Sequence, residues 1–148
     1  SSAFSLASNF RISALQAAVL VAQLERLESQ IAERRRNEEF LRAELADVDG
    51  LTFQQAPPQV NAHPHYLLLG RIDSERFGAS RDDFHRALAA AGVPCTPVYP
   101  HTLYQNPLTA TEDAVEPCPV AEACVRDAFW FPHRLLMADQ ATLREVAG

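Results

Sequence analysis

The feature that most constrains the fold is a stretch of about 36 residues, 12–47, that contains neither proline nor glycine. Alanine, leucine, glutamate, glutamine and arginine dominate this stretch, and all of them favour helix. The sequence therefore predicts one long helix near the N-terminus. Gly50 is the expected stop, because glycine commonly follows the end of a helix.

The two halves of this predicted helix differ in polarity. Residues 14–24 are nearly all apolar, which is typical of a helix that is covered on every side. A chain of 148 residues has little other material with which to cover them. We therefore expect this segment to pack against a partner subunit or a further domain. The alternative is that the rest of the chain folds back over it.

The second half of the helix is rich in charge. Arg34 and Glu38, and likewise Arg35 and Glu39, are four residues apart, a spacing that allows ion pairs along a helix. We interpret this region as a solvated face whose charges pair with one another, in preference to an anion-binding site.

The remaining sequence predicts a small layer of strands and helices. Apolar runs bounded by turn-forming residues indicate strands, and capping residues indicate helices. The predicted elements are strands at 51–53, 65–72, 93–98 (at a sheet edge) and 128–131, and helices at 81–91, 120–126 and 139–147. The loop at 99–119 is rich in proline, tyrosine and histidine and is typical of a loop that carries function.

Composition excludes several function classes. The net charge is −6, and no stretch is basic enough to follow a nucleic-acid backbone. All 13 basic residues are arginine, so this chain alone cannot perform Schiff-base chemistry through a lysine or bind phosphate with a Walker-type lysine. Three cysteines without a recognisable secretory leader, and no apolar run of membrane-spanning length, predict a reduced cytoplasmic protein.

A metal site is not expected. The candidate ligands are His63, His65, His101, His133, Cys95, Cys118 and Cys124. They form no Cys-x-x-Cys or His-Glu-x-x-His motif, and Pro64 stiffens the chain between two of the histidines. We predict no metal ligands, and we interpret Cys95 as a buried small apolar residue.

Seven motifs resemble those of the DegT/StrS aminotransferases, in the same order along nearly the whole chain. They lie at 9–18 (NFRISALQAA), 21–27 (VAQLERL), 63–66 (HPHY), 80–84 (SRDDF), 92–95 (GVPC), 103–108 (LYQNPL) and 131–136 (FPHRLL). Members of this family are pyridoxal-phosphate enzymes that aminate keto-sugars and related cyclitols. The motifs between 63 and 108 look like those of the branch that acts on cyclitols and amino-benzoates.

The resemblance covers only the C-terminal part of such an enzyme, since the family's Schiff-base lysine lies upstream of the Asn-aromatic-Arg motif. It implies an α+β two-layer fold with a mostly antiparallel sheet, as in the small domain of fold-type I pyridoxal-phosphate transferases. Residues 1–48 would be the tail of the large domain and a connecting or interface helix, and residues 49–148 the small domain. The chain alone is expected to be inactive, to contain no catalytic residue and to bind no cofactor.

The resemblance also suggests roles for residues at the two ends of the chain. Asn9 would reach the phosphate of pyridoxal phosphate across a dimer interface, although it could instead cap the helix. Arg11 would face the shared active site and bind substrate, with a surface ion pair as the alternative. His133 would bind a substrate carboxylate or hydroxyl, unless its role is structural.

The loop after residue 98 would provide the remaining substrate contacts. Tyr99, His101 and Tyr104 are polar rings that could line a sugar pocket, although their spacing departs from the family's usual Pro-Leu-His or Pro-Leu-Tyr pattern. The expected partner is a second copy, packed through residues 12–24, or the missing large domain. The alternative function is a non-catalytic dimerisation or interaction module with the same small-domain fold.

Overall fold

The computed structural model describes residues 11–108 and 116–148, and its first element is the long predicted helix. Helix α1 spans Ala14–Glu44 and begins with a capping box, in which Ser13 accepts a hydrogen bond from the backbone of Gln16 and the Gln16 side chain accepts one from the backbone of Ser13. Gly50 lies in the turn that follows, with a φ of +77° that favours glycine.

Four strands form a single antiparallel sheet in the order β1-β2-β4-β3. The strands are β1 (Leu51–Phe53), β2 (Leu67–Ile72), β3 (Thr96–Pro97) and β4 (Ala128–Pro132). The predicted α+β fold with an antiparallel sheet is confirmed. Strand β3 lies at an edge, as predicted, but is shorter than the predicted 93–98. Pro94 lacks the N–H group that a ladder requires, and the N–H of Val93 donates instead to the carbonyl oxygen of Leu88 at 2.9 Å.

Four shorter helices complete the described part of the chain. They are α2 (Ser74–Phe77), α3 (Arg81–Ala90), α4 (Pro119–Asp127) and α5 (Gln140–Ala147), with 3-10 turns at Leu103–Gln105 and Leu135–Met137. Ser80 caps α3 and Asp139 caps α5, as predicted. The sequence did not predict the four-residue α2, which is too short to show a helical period.

The core lies on one face of the sheet, between the sheet and the helices. Its buried members are Leu41, Leu68, Ile72, Phe129, Phe131, Leu135, Leu136 and Leu143. Because side chains alternate along a strand, Leu69 and Trp130 point to the opposite face, which is only partly covered. The sheet therefore has one face for the core and one face that is available for a site.

The second half of α1 is partly buried, and the interpretation of a solvated, self-paired face is wrong for two of its residues. Arg34 Nε donates to the carbonyl oxygen of Pro64 at 3.1 Å. Glu38 accepts from Arg42 Nη2 at 2.8 Å, and its other oxygen lies 2.9 Å from His65 Nδ1. The physical reason is tertiary, because the loop before β2 packs against this face of the helix.

One predicted pair and one unexpected contact complete the description of this region. Arg35 and Glu39 form an exposed ion pair at 2.9 Å, as the spacing predicts. Asn37 is buried, and its Nδ2 donates to the carbonyl oxygens of Leu136 at 2.8 Å and Ala138 at 2.9 Å. The second half of α1 is thus joined to the turn that follows β4.

The first half of α1 is not covered by the described part of the chain. Its exposed apolar side chains are Leu15, Val19, Leu20, Val21 and Leu24, each more than half exposed. The alternative in which the α+β layer folds back over residues 14–24 is therefore not observed. Among residues 11–108 and 116–148, no helix is both long and apolar enough to cross a membrane.

Candidate substrate-binding site

A cavity of about 1050 Å³ lies on the sheet face opposite the core. Strands β1, β2 and β4 form its floor, the segment 98–106 forms one wall, and helix α4 forms another. Most of the lining is apolar, with a few polar groups at its edge. This combination is typical of a small-molecule site.

Strand alternation explains which side chains form the floor. Leu69 and Arg71 of β2 lie on the cavity side, as do Ala128 and Trp130 of β4, while the residues between them are buried in the core. Arg71 and Trp130 were not predicted from the sequence as residues of this cavity. The sequence shows which side chains of each strand share a face, because side chains alternate along a strand. It does not show which face of the sheet the helices cover.

The cavity brings together the three predicted residues of the loop. Tyr99 is 73% exposed, and its ring meets Trp130 edge to face at a centroid separation of 5.9 Å. His101 and Tyr104 also line the cavity. Tyr99 and His101 are exposed and can contact a bound molecule, whereas the hydroxyl of Tyr104 already has partners within the chain.

Tyr104 fastens the loop to α4. Its hydroxyl donates to the carboxylate of Glu122 and accepts a hydrogen bond from the backbone N–H of Cys118 at 3.3 Å. These contacts hold the wall of the cavity in place, and a role of Tyr104 in substrate binding stays a prediction.

Two further polar groups border the cavity. Thr102 is only 6% exposed, and within residues 11–108 and 116–148 its Oγ1 has no hydrogen-bond partner. A buried hydroxyl without a partner is costly, and a ligand could satisfy it. Arg71 lines the cavity and its Nη2 lies 3.4 Å from the carboxylate of Asp127, so this cation is already paired.

The cysteines divide into two groups. Cys118 and Cys124 line the cavity, and Cys118 is exposed. Cys95 instead packs against the core, and burial raises the pKa of its thiol to about 12. Its interpretation as a small apolar residue agrees with this environment, since a thiol with such a pKa stays protonated at neutral pH.

The other predicted site residues lie away from the cavity. Arg11 is exposed next to the start of α1, roughly 35 Å along the helix from Arg34, where the helix first becomes buried. His133 is exposed just after β4 and stacks on Tyr66 at a centroid separation of 5.3 Å. Asn9 lies outside the described residues.

Comparisons with known proteins agree with this fold and with the family resemblance. Residues 2–147 match the DegT/DnrJ/EryC1/StrS aminotransferase family. The chain is 31% identical to 3-amino-5-hydroxybenzoate synthase of Amycolatopsis mediterranei, with 95% of the chain and 38% of the relative covered. It is 32% identical to L-glutamine:2-deoxy-scyllo-inosose aminotransferase of Streptoalloteichus tenebrarius, with 97% of the chain and 38% of the relative covered.

A solved structure gives the same result at the level of the fold. The crystal structure of a 3-amino-5-hydroxybenzoic acid synthase superposes with a TM-score of 0.76 at 28% identity, over 88% of this chain and 36% of that one. The chain thus spans about 38% of the length of the curated relatives it matches. Because the family model matches nearly the whole chain, residues 2–147, the chain belongs to the DegT/DnrJ/EryC1/StrS aminotransferase family.

Proposed function

We propose that the chain is the C-terminal segment of a pyridoxal-phosphate-dependent aminotransferase that aminates a keto-sugar, a keto-cyclitol or a related biosynthetic intermediate. The observation that carries this proposal is the family match over residues 2–147. Relatives named for a cyclitol aminotransferase and for an amino-hydroxybenzoate synthase support the class of acceptor. The molecules in both names are rings that bear polar groups.

The cavity has the chemistry that such an acceptor requires. Trp130 and Tyr99 offer aromatic surface on which the apolar face of a ring can pack, and His101 offers an imidazole for its hydroxyl groups. Thr102 supplies a buried hydroxyl that needs a partner. The segment 98–106 therefore forms one wall of the acceptor site in the complete enzyme.

The chain does not itself supply the covalent anchor for the cofactor. Its 13 basic residues are all arginine, so no lysine is present to form a Schiff base with pyridoxal phosphate. On its own the chain is inactive under this proposal. Asn9 and Arg11 would instead complete the cofactor and substrate sites of a neighbouring subunit, an arrangement supported by the exposed position of Arg11.

The function is tested by assaying amino transfer from L-glutamine to keto-cyclitols with the complete protein, and with the 148-residue chain as the comparison. The complete protein should form product and the chain alone none. In the complete protein, His101→Ala should lower kcat/KM for the acceptor about fivefold, since one lost hydrogen bond to substrate costs about 1 kcal/mol.

The matched control for this assay is His85→Ala. His85 lies on α3 and does not line the cavity, so its replacement should leave kcat/KM unchanged. Product formation by the chain alone, or a covalent adduct between it and pyridoxal phosphate, would contradict the proposal. An intact mass of the natural protein equal to that of this chain would instead favour the dimerisation or interaction module.

We further propose that residues 12–24 pack against a second copy of the chain or against the large domain of the complete enzyme. Support comes from the apolar side chains that the described residues leave exposed there. Leu20 is 51% exposed, and a charged side chain in its place should disrupt this packing. Leu20→Glu is expected to abolish concentration-dependent association of the chain in sedimentation velocity, because it buries an unpaired carboxylate in the interface.

Ala32→Glu provides the matched control for association. It adds the same charge at an exposed position of the same helix, outside residues 12–24, and should leave association unchanged. A chain that stays monomeric at every concentration excludes the second copy as partner and leaves the large domain. If Leu20→Glu also left the assembly of the complete protein intact, the proposed interface would be wrong.

A further inference from the structure

A cluster of three potential metal ligands lies away from the cavity, where the loop before β2 meets α1. It consists of Glu38, His63 and His65, and one ligand atom from each residue lies within 4.8 Å of those of the other two. Two imidazole nitrogens and one carboxylate oxygen are a donor set that suits zinc and similar divalent ions.

We propose that Glu38, His63 and His65 form a binding site for a divalent transition-metal ion such as Zn²⁺. The site uses none of the residues assigned to the substrate cavity and does not depend on the proposed function. Three protein ligands leave a fourth tetrahedral position for water.

The cluster is held by a network of contacts around it. His65 Nδ1 lies 2.9 Å from Glu38 Oε2, and the backbone N–H of His65 donates to His63 Nδ1 at 3.1 Å. The two imidazole rings are 4.7 Å apart at an interplanar angle of 75°. The three candidate ligand atoms therefore lie close together in the folded chain, within 4.8 Å of one another.

The surrounding residues orient the ligands. Arg42 binds Glu38 Oε1 at 2.8 Å, which leaves Oε2 directed at the histidines. Arg34 fixes the loop between the two histidines through the carbonyl oxygen of Pro64 at 3.1 Å. Hydrogen bonds that hold ligating carboxylates in this way are typical of metal sites.

The backbone supplies independent support. His65 has a φ of +48°, which makes it the one non-glycine residue with a positive φ in the described part of the chain. This conformation is unfavourable for a side chain with a Cβ atom, and such residues concentrate at functional sites. Here it accompanies the contact between His65 Nδ1 and Glu38 Oε2 at 2.9 Å.

The burial of the three residues indicates which side chain can move to complete the coordination of an ion. The side chains of Glu38 and His65 are 10% and 14% exposed, whereas His63 is exposed on the surface. Ligand atoms around tetrahedral zinc are about 3.4 Å apart, so the widest separation must contract. His63 can rotate to close it, and the two buried ligands need little change.

The sequence alone does not point to this site. Glu38 is 27 residues before His65, and its spacing to Arg34 and Arg42 suggests only ion pairs along the helix. The absence of a known zinc motif led to the expectation that no metal ligands are present. The tertiary contact between α1 and the loop supplies the third ligand that the two histidines lack.

The proposal is tested by calorimetric titration of the chain with Zn²⁺, in a background carrying Cys118→Ser and Cys124→Ser so that these thiols do not compete. One ion should bind per chain. His63→Ala and Glu38→Gln should each weaken binding by at least about 100-fold, because loss of a ligand should exceed the 10–100-fold effect of an outer-shell partner. His85→Ala is the matched control and should bind as tightly as the parent.

A second measurement keeps the result independent of folding. In ring ¹⁵N spectra of the histidines, Zn²⁺ should shift His63 and His65 and leave His85 and His101 unchanged. If Glu38→Gln does not fold, His63→Ala and these spectra decide. The proposal is overturned by the absence of saturable binding, by binding that shifts other histidines, or by binding that either folded variant leaves intact.

Discussion

Replacing Asn37 by alanine is expected to lower the free energy of unfolding of the chain by about 3 kcal/mol. Asn37 is 6% exposed, and its amide donates to the carbonyl oxygens of both Leu136 and Ala138. The alanine variant leaves two acceptors without their donor, at about 1–3 kcal/mol for each buried group. Urea unfolding followed by circular dichroism measures the change.

Asn61→Ala is the matched control, because Asn61 is exposed in a loop and its replacement should change the free energy of unfolding by less than about 0.5 kcal/mol. If Asn37→Ala were as mild as the control, water would have to reach both carbonyl oxygens, and the packing of α1 against the turn would be looser than the structure shows. An unchanged m-value is needed for either conclusion.

The contact of Asn37 lies close to a residue that the proposed function uses. The turn that it holds, Leu135–Met137, follows directly after His133, which the family resemblance assigns to substrate binding. Helix α1 therefore connects the exposed segment near Arg11 to the turn beside His133. In the complete enzyme, the hydrogen bonds between Asn37 and this turn would help to position His133.

The secondary structure could be predicted wherever local chemistry decides it. Ser80 and Asp139 begin helices because their side chains accept hydrogen bonds from the first turn, and this pattern is visible in the sequence. The burial of Arg34 and Glu38 could not be predicted in this way. Their spacing fits a solvated helix face. These two residues become buried only because the loop that carries Pro64 and His65 packs against that face.

The candidate site was predictable to the same extent. Tyr99, His101 and Tyr104 belong to one loop, so local composition was enough to bring them together. Trp130 could not be recognised, since an aromatic residue in an apolar strand reads as core until it is known which face of the sheet the helices cover. The sequence likewise does not show that the Thr102 hydroxyl is buried without a hydrogen-bond partner among the described residues, because this depends on the tertiary packing around it.

Replacing Phe129 by alanine is expected to lower the free energy of unfolding by about 4 kcal/mol. The side chain is fully buried at the centre of the core, with ring centroids of Phe84 and Phe131 at 5.0 and 5.3 Å and that of Phe53 at 6.4 Å. Removing the ring leaves a cavity that these rigid neighbours cannot fill. Urea unfolding again measures the change, with the exposed Tyr66→Ala as a mild aromatic comparison.

The position of the Phe129 ring can be tested separately through Gly70, its partner across the β2–β4 pair. A Cβ atom at Gly70 would lie 2.4 Å from Cζ of Phe129, so Gly70→Ala should cost about 1–3 kcal/mol in the parent chain. In the Phe129→Ala background the clash is gone and the methyl group enters the vacated space, so the same substitution should cost little. Equal costs in both backgrounds would show that the ring does not lie over Gly70, because two residues without contact contribute additively.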